Sequence, residues 1–332
     1  MSPTLRTIAW LGTALALAAI PPLCGPYYTN LFLTFAIFSV FSVSLNLLLG
    51  YTGLFSFGHA MFFGTGAYAT ALALKHVSGL PLLAAFGIGV LAAALLALAL
   101  SPIVVRVSGT AFAMLHLAFS QMMYVLALKL HGITGGEDGI GNFPIPPLRI
   151  PGVGAIPMKD EPANFYYFAI TLLAASLWLM WFFTRTPLGQ VQLAIRENAR
   201  RTDYLGFKVP QTKAVIYVFA AANAGVAGSL YGLFHNLVSA DGALGALVSF
   251  APIINIMIGG IGSFLGPVLG TAIFQLIEEL ASRYTEHVEL VIGLLLVVVI
   301  MYAPMGALGV AKQLRQKWRR QSTPTGALQK SP

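Results

Sequence analysis

Charge is scarce in this chain. Only 9% of its 332 residues are Asp, Glu, Lys or Arg, against roughly 25% in an average soluble domain. With 57% apolar residues and so little charge, the chain cannot dress a surface for water, and lipid is the solvent it fits. Cysteine is confined to Cys24, which excludes an internal disulfide and a cysteine-based zinc site. No GxxxxGK followed by Ser or Thr occurs, so no P-loop holds ATP here, and no HExxH sets two histidines on one helix face for a metal. Gly64-Thr65-Gly66-Ala67-Tyr68-Ala69 has some of the texture of a dinucleotide loop but opens no strand–turn–helix unit. The apolar runs carry no series of acids and bases of the kind an ion-driven pump uses. Neither a cofactor nor an enzyme's cluster of nucleophile, metal ligands or paired acids emerges, so the expected role is not catalytic.

The net charge of +8 would raise the question of nucleic acid in a soluble protein. Here the basic residues sit in short connections between apolar runs. Orientation in a bilayer accounts for them, and no nucleic-acid partner is expected.

A hydrocarbon core of about 30 Å takes roughly 20 apolar residues as helix. Ten runs qualify: 7–24, 28–49, 59–75, 81–105, 110–130, 164–184, 212–236, 246–261, 264–281 and 288–304. Some, such as 246–261, are short and interrupted by Gly or Pro, the pattern of half-membrane segments that survive only where protein or a cavity covers them. The first run resembles a signal peptide, but Pro21 and Pro22 suit a cleavage site badly, and it reads as a retained span. The fold expected is an all-α integral membrane protein of about ten transmembrane helices over residues 1–310, with a basic tail at 311–332. With both termini cytoplasmic, Lys and Arg number 14 inside and 5 outside, the bias that orients membrane proteins. The loop at 185–213 and the tail then share the cytoplasmic side. The Gly/Pro-rich loop at 131–163 lies outside, as a contact for an extracytoplasmic partner or as a connector.

Two glycine runs stand out. Gly50, Gly53, Gly58, Gly64 and Gly66 form the first, and Gly259, Gly260, Gly262, Gly266 and Gly270 the second. Each follows an apolar run, a faint echo of internal duplication, and small residues let membrane helices approach closely. Isolated polar residues have bland readings beside functional ones. His116 is a proton or substrate site, or a neutral histidine bonded to a neighbouring helix carbonyl. Glu278 and Glu279 are a proton relay, or two carboxylates reaching interfacial water. Asn46 is expected to make an interhelical hydrogen bond worth roughly 1 kcal/mol.

The exception to all this oil is Arg185 to Lys213. It holds Arg185, Arg196, Arg200, Arg201, Lys208 and Lys213 against Glu197 and Asp203. Small and apolar residues recur at near-helical spacing from Leu188 to Leu205, and Gly206 stands where a C-cap belongs. A short polar helix between spans is a surface element that a separate motor protein can push.

The motifs, in order, resemble one family. Asn46-Leu-Leu-Leu-Gly50-Tyr-Thr-Gly53-Leu-Phe-Ser56-Phe-Gly58-His59-Ala-Met-Phe62-Phe-Gly64-Thr-Gly66-Ala67-Tyr68 is similar to the signature of branched-chain amino acid ABC importer permeases, within them the LivM type. Arg106-Val-Ser-Gly109, Thr134-Gly135-Gly136, Ala194-Ile195-Arg196-Glu197-Asn198, Leu205-Gly206, Gly259-Gly260-Ile-Gly262-Ser-Phe-Leu-Gly266-Pro267 and Ala303-Pro304 follow the same pattern. Ala111, where an aromatic is usual, and Arg200-Arg201-Thr202 depart from it.

The resemblance implies a multi-pass permease in the inner membrane of a bacterium. It implies pairing with a homologous second permease, two cytoplasmic ATP-binding subunits and an extracytoplasmic solute-binding protein. Such a complex imports branched-chain amino acids or related small solutes. In that scheme the helix at 188–206 is the coupling helix, with Ala194, Arg196, Glu197, Leu205 and Gly206 meeting the ATPase. Asn46, Ser56, His59, Phe62 and Gly262 are the expected substrate pathway. The alternative is an ATP-independent channel or ion-coupled carrier for urea, an amide or an aromatic acid.

Overall fold

The computed structural model describes residues 3–150, 154–158 and 161–284, together with isolated positions between 287 and 309. The tail at 311–332 and most of the run at 288–304 lie outside the described residues.

Long apolar runs without interior polar breaks become helices, because in lipid each backbone N–H and C=O must find its partner within the segment. Helix α1 runs Pro3–Asn46 and breaks at Gly25, whose φ of 77° no other residue adopts cheaply. It continues as a π-turn over Leu47–Thr52 that ends on Gly53 at φ 76°. After an extended stretch come α2 (Ala60–His76), α3 (Leu82–Val104), α4 (Thr110–Lys129) and the single turn α5 (His131–Thr134). The loop between α5 and α6 carries β1 (Ile140–Gly141), β2 (Leu148–Ile150) and β3 (Gly154–Ile156). Then follow α6 (Pro162–Arg185), α7 (Pro187–Tyr204), α8 (Val209–His235), β4 (Leu237–Val238), α9 (Ala240–Leu244), α10 (Ala246–Gly259) and α11 (Gly266–Tyr284).

Six of these segments are long and apolar enough to cross a bilayer: 25–52, 82–104, 110–129, 162–185, 209–235 and the combined α9–α10 segment 240–259. Of the other expected spans, α2 has 17 residues, at the short end of what crosses a bilayer, and α11 carries Glu278, Glu279 and Arg283 toward its end. The run at 7–24 forms the first part of α1, ahead of the Gly25 break.

Burial sorts the helices. The most apolar stretch of 25–52 is 72% buried and that of α8 61%, against 28% for α3 and for α4. The first two are therefore central. The exposed Leu91, Leu95, Met114, Trp178 and Phe182 on α3, α4 and α6 present the apolar side chains that lipid tails solvate. In the middle, α2, α3 and α8 approach at backbone distance: a Cβ on Gly66 would lie 2.6 Å from Gly225 O, and one on Gly228 would lie 1.8 Å from Phe63 O. The glycines of α2 and α8 are thus a packing surface, where van der Waals contact replaces the missing hydrophobic drive.

The loop between α5 and α6 is held to the helices by its buried Ile140, Phe143 and Met158 and by one strand pairing. Strand β1 pairs antiparallel with β4, Ile140 opposite Val238, and Asn142 N–H donates to Asn236 O at 3.1 Å. The connector therefore joins the end of α8.

Candidate functional site

Helix α7 is built from two capped pieces. Thr186 caps the first, its hydroxyl accepting from Gly189 N at 3.3 Å, with Pro187 in the first turn. At Asn198 the backbone leaves helical space, with ψ at 99°. The Asn198 side chain then caps the second piece, accepting from Arg201 N at 3.0 Å. The C-terminus closes as expected on Gly206, at φ 91°. Gly206 N donates to Asp203 O at 2.9 Å and Phe207 N to Thr202 O at 3.4 Å, the paired bonds of a Schellman end. That closure turns Tyr204, Leu205 and Phe207 outward, 88%, 70% and 46% exposed. Leu205 and Gly206, both expected to face a partner, lie at this bare tip.

The other face of α7 is fixed to the spans. Ile195 is buried, and Gln192 is fully buried with neither amide atom hydrogen-bonded among the described residues. Ala194 is half-buried and Glu197 exposed. Arg196, expected to meet a partner, is exposed, and its Nη1 donates to Gly50 O in the π-turn. A Cβ on Gly262 would lie 2.9 Å from that same Nη1, and one on Gly53 would lie 3.3 Å from Arg196 Cγ. Asn46 Nδ2 donates to Ser263 O at 3.0 Å, a long-range hydrogen bond as expected, but to the connection between α10 and α11 and not to a helix. A Cβ on Gly50 would meet Gly262 N at 2.9 Å. The two glycine breaks, more than two hundred residues apart in sequence, thus touch each other, and one arginine of the surface helix touches both.

The structure therefore brings Arg196, Asn46 and Gly262 together. Ser56, His59 and Phe62 lie elsewhere, in the interior. His59 Nε2 is 2.9 Å from Ser44 Oγ, and its ring stacks on Phe41 at 5.5 Å. Phe62 packs edge-on against Tyr217 at 5.3 Å. Ser56 Oγ accepts from Gly58 N at 3.4 Å. His116 has both ring nitrogens engaged, 3.1 Å from Phe112 O on its own helix and 2.8 Å from the Tyr217 hydroxyl. That fits its bonded reading, although the neighbouring group is a hydroxyl and not a carbonyl.

A cavity of about 720 Å³ opens between α1, the 53–58 stretch, α10 and α11. None of the five expected pathway residues lines it. Phe55 and Phe57, which flank Ser56, do, and so do Asn255 and Glu278. The sequence signal was the alternation Phe55-Ser56-Phe57: in an extended stretch, neighbours point to opposite sides.

A family model described as "Branched-chain amino acid transport system / permease component" matches residues 27–300. The chain belongs to this permease family. The permease is 29% identical over 299 residues to the high-affinity branched-chain amino acid transport system permease protein LivM of Escherichia coli, covering 85% of this chain and 70% of that one. It is 30% identical over 152 residues to the LivH permease protein of the same organism, covering 42% and 49%. It is also similar to the probable LivM protein of Methanocaldococcus jannaschii, 24% identical over 328 residues, covering 82% and 91%. No solved structure matches the permease. Its match to both LivM and LivH fits a family that works as permease pairs.

Proposed function

We infer that this permease is the membrane-spanning subunit of an ABC importer for branched-chain amino acids or related small solutes. It sits in the inner membrane of a bacterial cell with α7 on the cytoplasmic side. It pairs with a homologous permease, two ATP-binding subunits that hydrolyse the ATP, and an extracytoplasmic solute-binding protein. One observation carries the reading: a surface helix with a bare apolar tip is tied by Arg196 to the π-turn that ends one span and to the connection that follows another. A passive channel has no use for such a part.

Each residue then has a task. Tyr204, Leu205 and Phe207 offer an apolar knob of the kind that anchors an interface, rimmed by Glu197, Arg200, Arg201 and Lys208. Closure of the ATPase pair displaces that knob. The first piece of α7 moves with it, and Arg196 carries the displacement to Gly50 and Gly262 at once. Gly50 leads within five residues to Phe55 on the cavity wall, and Gly262 lies just past the end of α10. The cavity lies between these two paths, so a push from the ATPase reshapes it, the rocking of broken helices around a central path.

The test is reconstitution. The permease, reconstituted with its ATPases, second permease and binding protein, should take up L-leucine, L-isoleucine or L-valine into proteoliposomes only when ATP is present on the ATPase side. Uptake by this chain alone, without ATPase, would reject the reading.

A further inference from the structure

We propose that the cavity between α10, α11, α1 and the 53–58 stretch is a solute-binding subsite in this permease, with Glu278 receiving the ammonium of an amino acid whose apolar side chain rests on phenylalanines. The proposal rests on the transport reading above and deepens it.

Its walls suit that ligand. Phe38, Phe55, Phe57, Phe250 and Phe274 all line the cavity, and three of them interlock: Phe55 meets Phe57 edge-on at 4.7 Å and Phe57 meets Phe250 at 5.6 Å. At about 720 Å³ the space falls within the usual range of ligand sites, mostly apolar with a few placed polar groups. Those groups are ordered along α11. Thr271 stands in the first turns of α11 beside Asn255 and Ser42, where Asn255 Nδ2 donates to Ser42 Oγ at 3.0 Å. Glu278 stands seven residues on, about 10 Å farther along the helix. The cavity is thus a passage with a charged mouth and a neutral hydroxyl-and-amide floor.

The two adjacent carboxylates have different fates. Glu279 is consumed by structure: it accepts from the Tyr27 hydroxyl and pairs with Arg283 at 3.0 Å. Glu278 turns to the cavity, and among the described residues it makes no hydrogen bond and no ion pair. No Lys, Arg, His or Asp is among the described residues lining the cavity, so Glu278 brings the one carboxylate. An acid at the mouth of an apolar passage attracts a cationic group and turns away anions. An ammonium with a hydrophobic tail fits both features, whereas a sugar or an aromatic acid without an amine fits only part of them.

The experiment uses the complete complex in proteoliposomes with radiolabelled L-leucine. Glu278→Gln should cut ATP-driven uptake tenfold or more while ATP hydrolysis stimulated by the binding protein persists. Separately, in a Cys24→Ser background, Phe57→Cys or Gln275→Cys should react with a small thiol reagent, and excess L-leucine should slow that reaction at least threefold. Wild-type uptake by Glu278→Gln together with labelling indifferent to leucine would overturn the subsite. So would cysteines that react in the isolated chain but not in the complex, since a partner subunit would then fill the cavity. If the wild-type complex moves no amino acid on ATP, the transport reading itself fails, and that result is distinct from either of the others.

Discussion

Replacing Arg196 with Gln separates two roles that a coupling helix can have. Arg196 lies on an exposed helix, yet its guanidinium donates to Gly50 O and abuts Gly262. A hydrogen bond from a charged donor is worth about 1.5–3 kcal/mol net. At about 1.4 kcal/mol per factor of ten, its loss shifts the balance between tied and slack arrangements by roughly 10- to 150-fold. Helix α7 itself stays seated, because Ile195 remains buried and Thr186 and Asn198 still cap its two pieces. The exposed tip at Tyr204, Leu205 and Phe207 is untouched. Solute moved per ATP should therefore fall by an order of magnitude or more while the ATPases still co-purify and still hydrolyse ATP. Uptake and phosphate release are measured on the same proteoliposomes. Arg196→Lys should recover part of the coupling, since it keeps the charge but loses the planar fork. Glu197→Lys, altering a side chain that points away, should instead weaken ATPase association. If Arg196→Gln loses the ATPases as Glu197→Lys does, or transports like wild type, Arg196 is no link between helix and spans.

Three further outcomes follow from the geometry. Gly50→Ala should destabilise the permease by about 1–3 kcal/mol or block its accumulation, because the new methyl would face the backbone of Gly262 at 2.9 Å; thermal unfolding in detergent reads this. Replacing Tyr204 or Phe207 with Ser should weaken ATPase binding by about 1–2 kcal/mol each with no loss of permease stability, measured by co-purification. Gln192→Leu should raise thermal stability by about 1–3 kcal/mol, since the amide it removes is buried and without a hydrogen-bond partner among the described residues; an unchanged or lowered midpoint would show that the amide is satisfied by water.

Hydropathy located the helices well because the bilayer imposes one length and one solvent on each span. The boundaries of α3, α4, α6 and α10 fall within two residues of the runs read from composition. Capping chemistry was equally legible: Gly206 ends α7 as its position suggested. Long-range contact was not. Asn46 was readable as a hydrogen-bonding residue, but its partner Ser263 lies 217 residues away, and nothing local announces it. The break at Asn198 was missed because helical periodicity continues through it, although an Asn three residues before Arg201 is a cap signal. The contact of Arg196 with Gly50 and Gly262 was not legible either, since spacing places a side chain on a helix and does not say what lies opposite. The β1–β4 pairing was illegible for the same reason: two-residue strands carry no period.

That small pairing has a mechanical consequence. Helix α8 has 27 residues, a rod of about 40 Å, and it is the most buried of the long helices after α1. One end receives the loop between α5 and α6 through β4; the other follows directly on Lys208 and the tip of α7. A load applied to the loop at one end of α8 is thus transmitted by a single stiff strut to the helix at its other end. Linkage is reciprocal, so whatever seats on the loop should be felt by the motor before any solute has crossed.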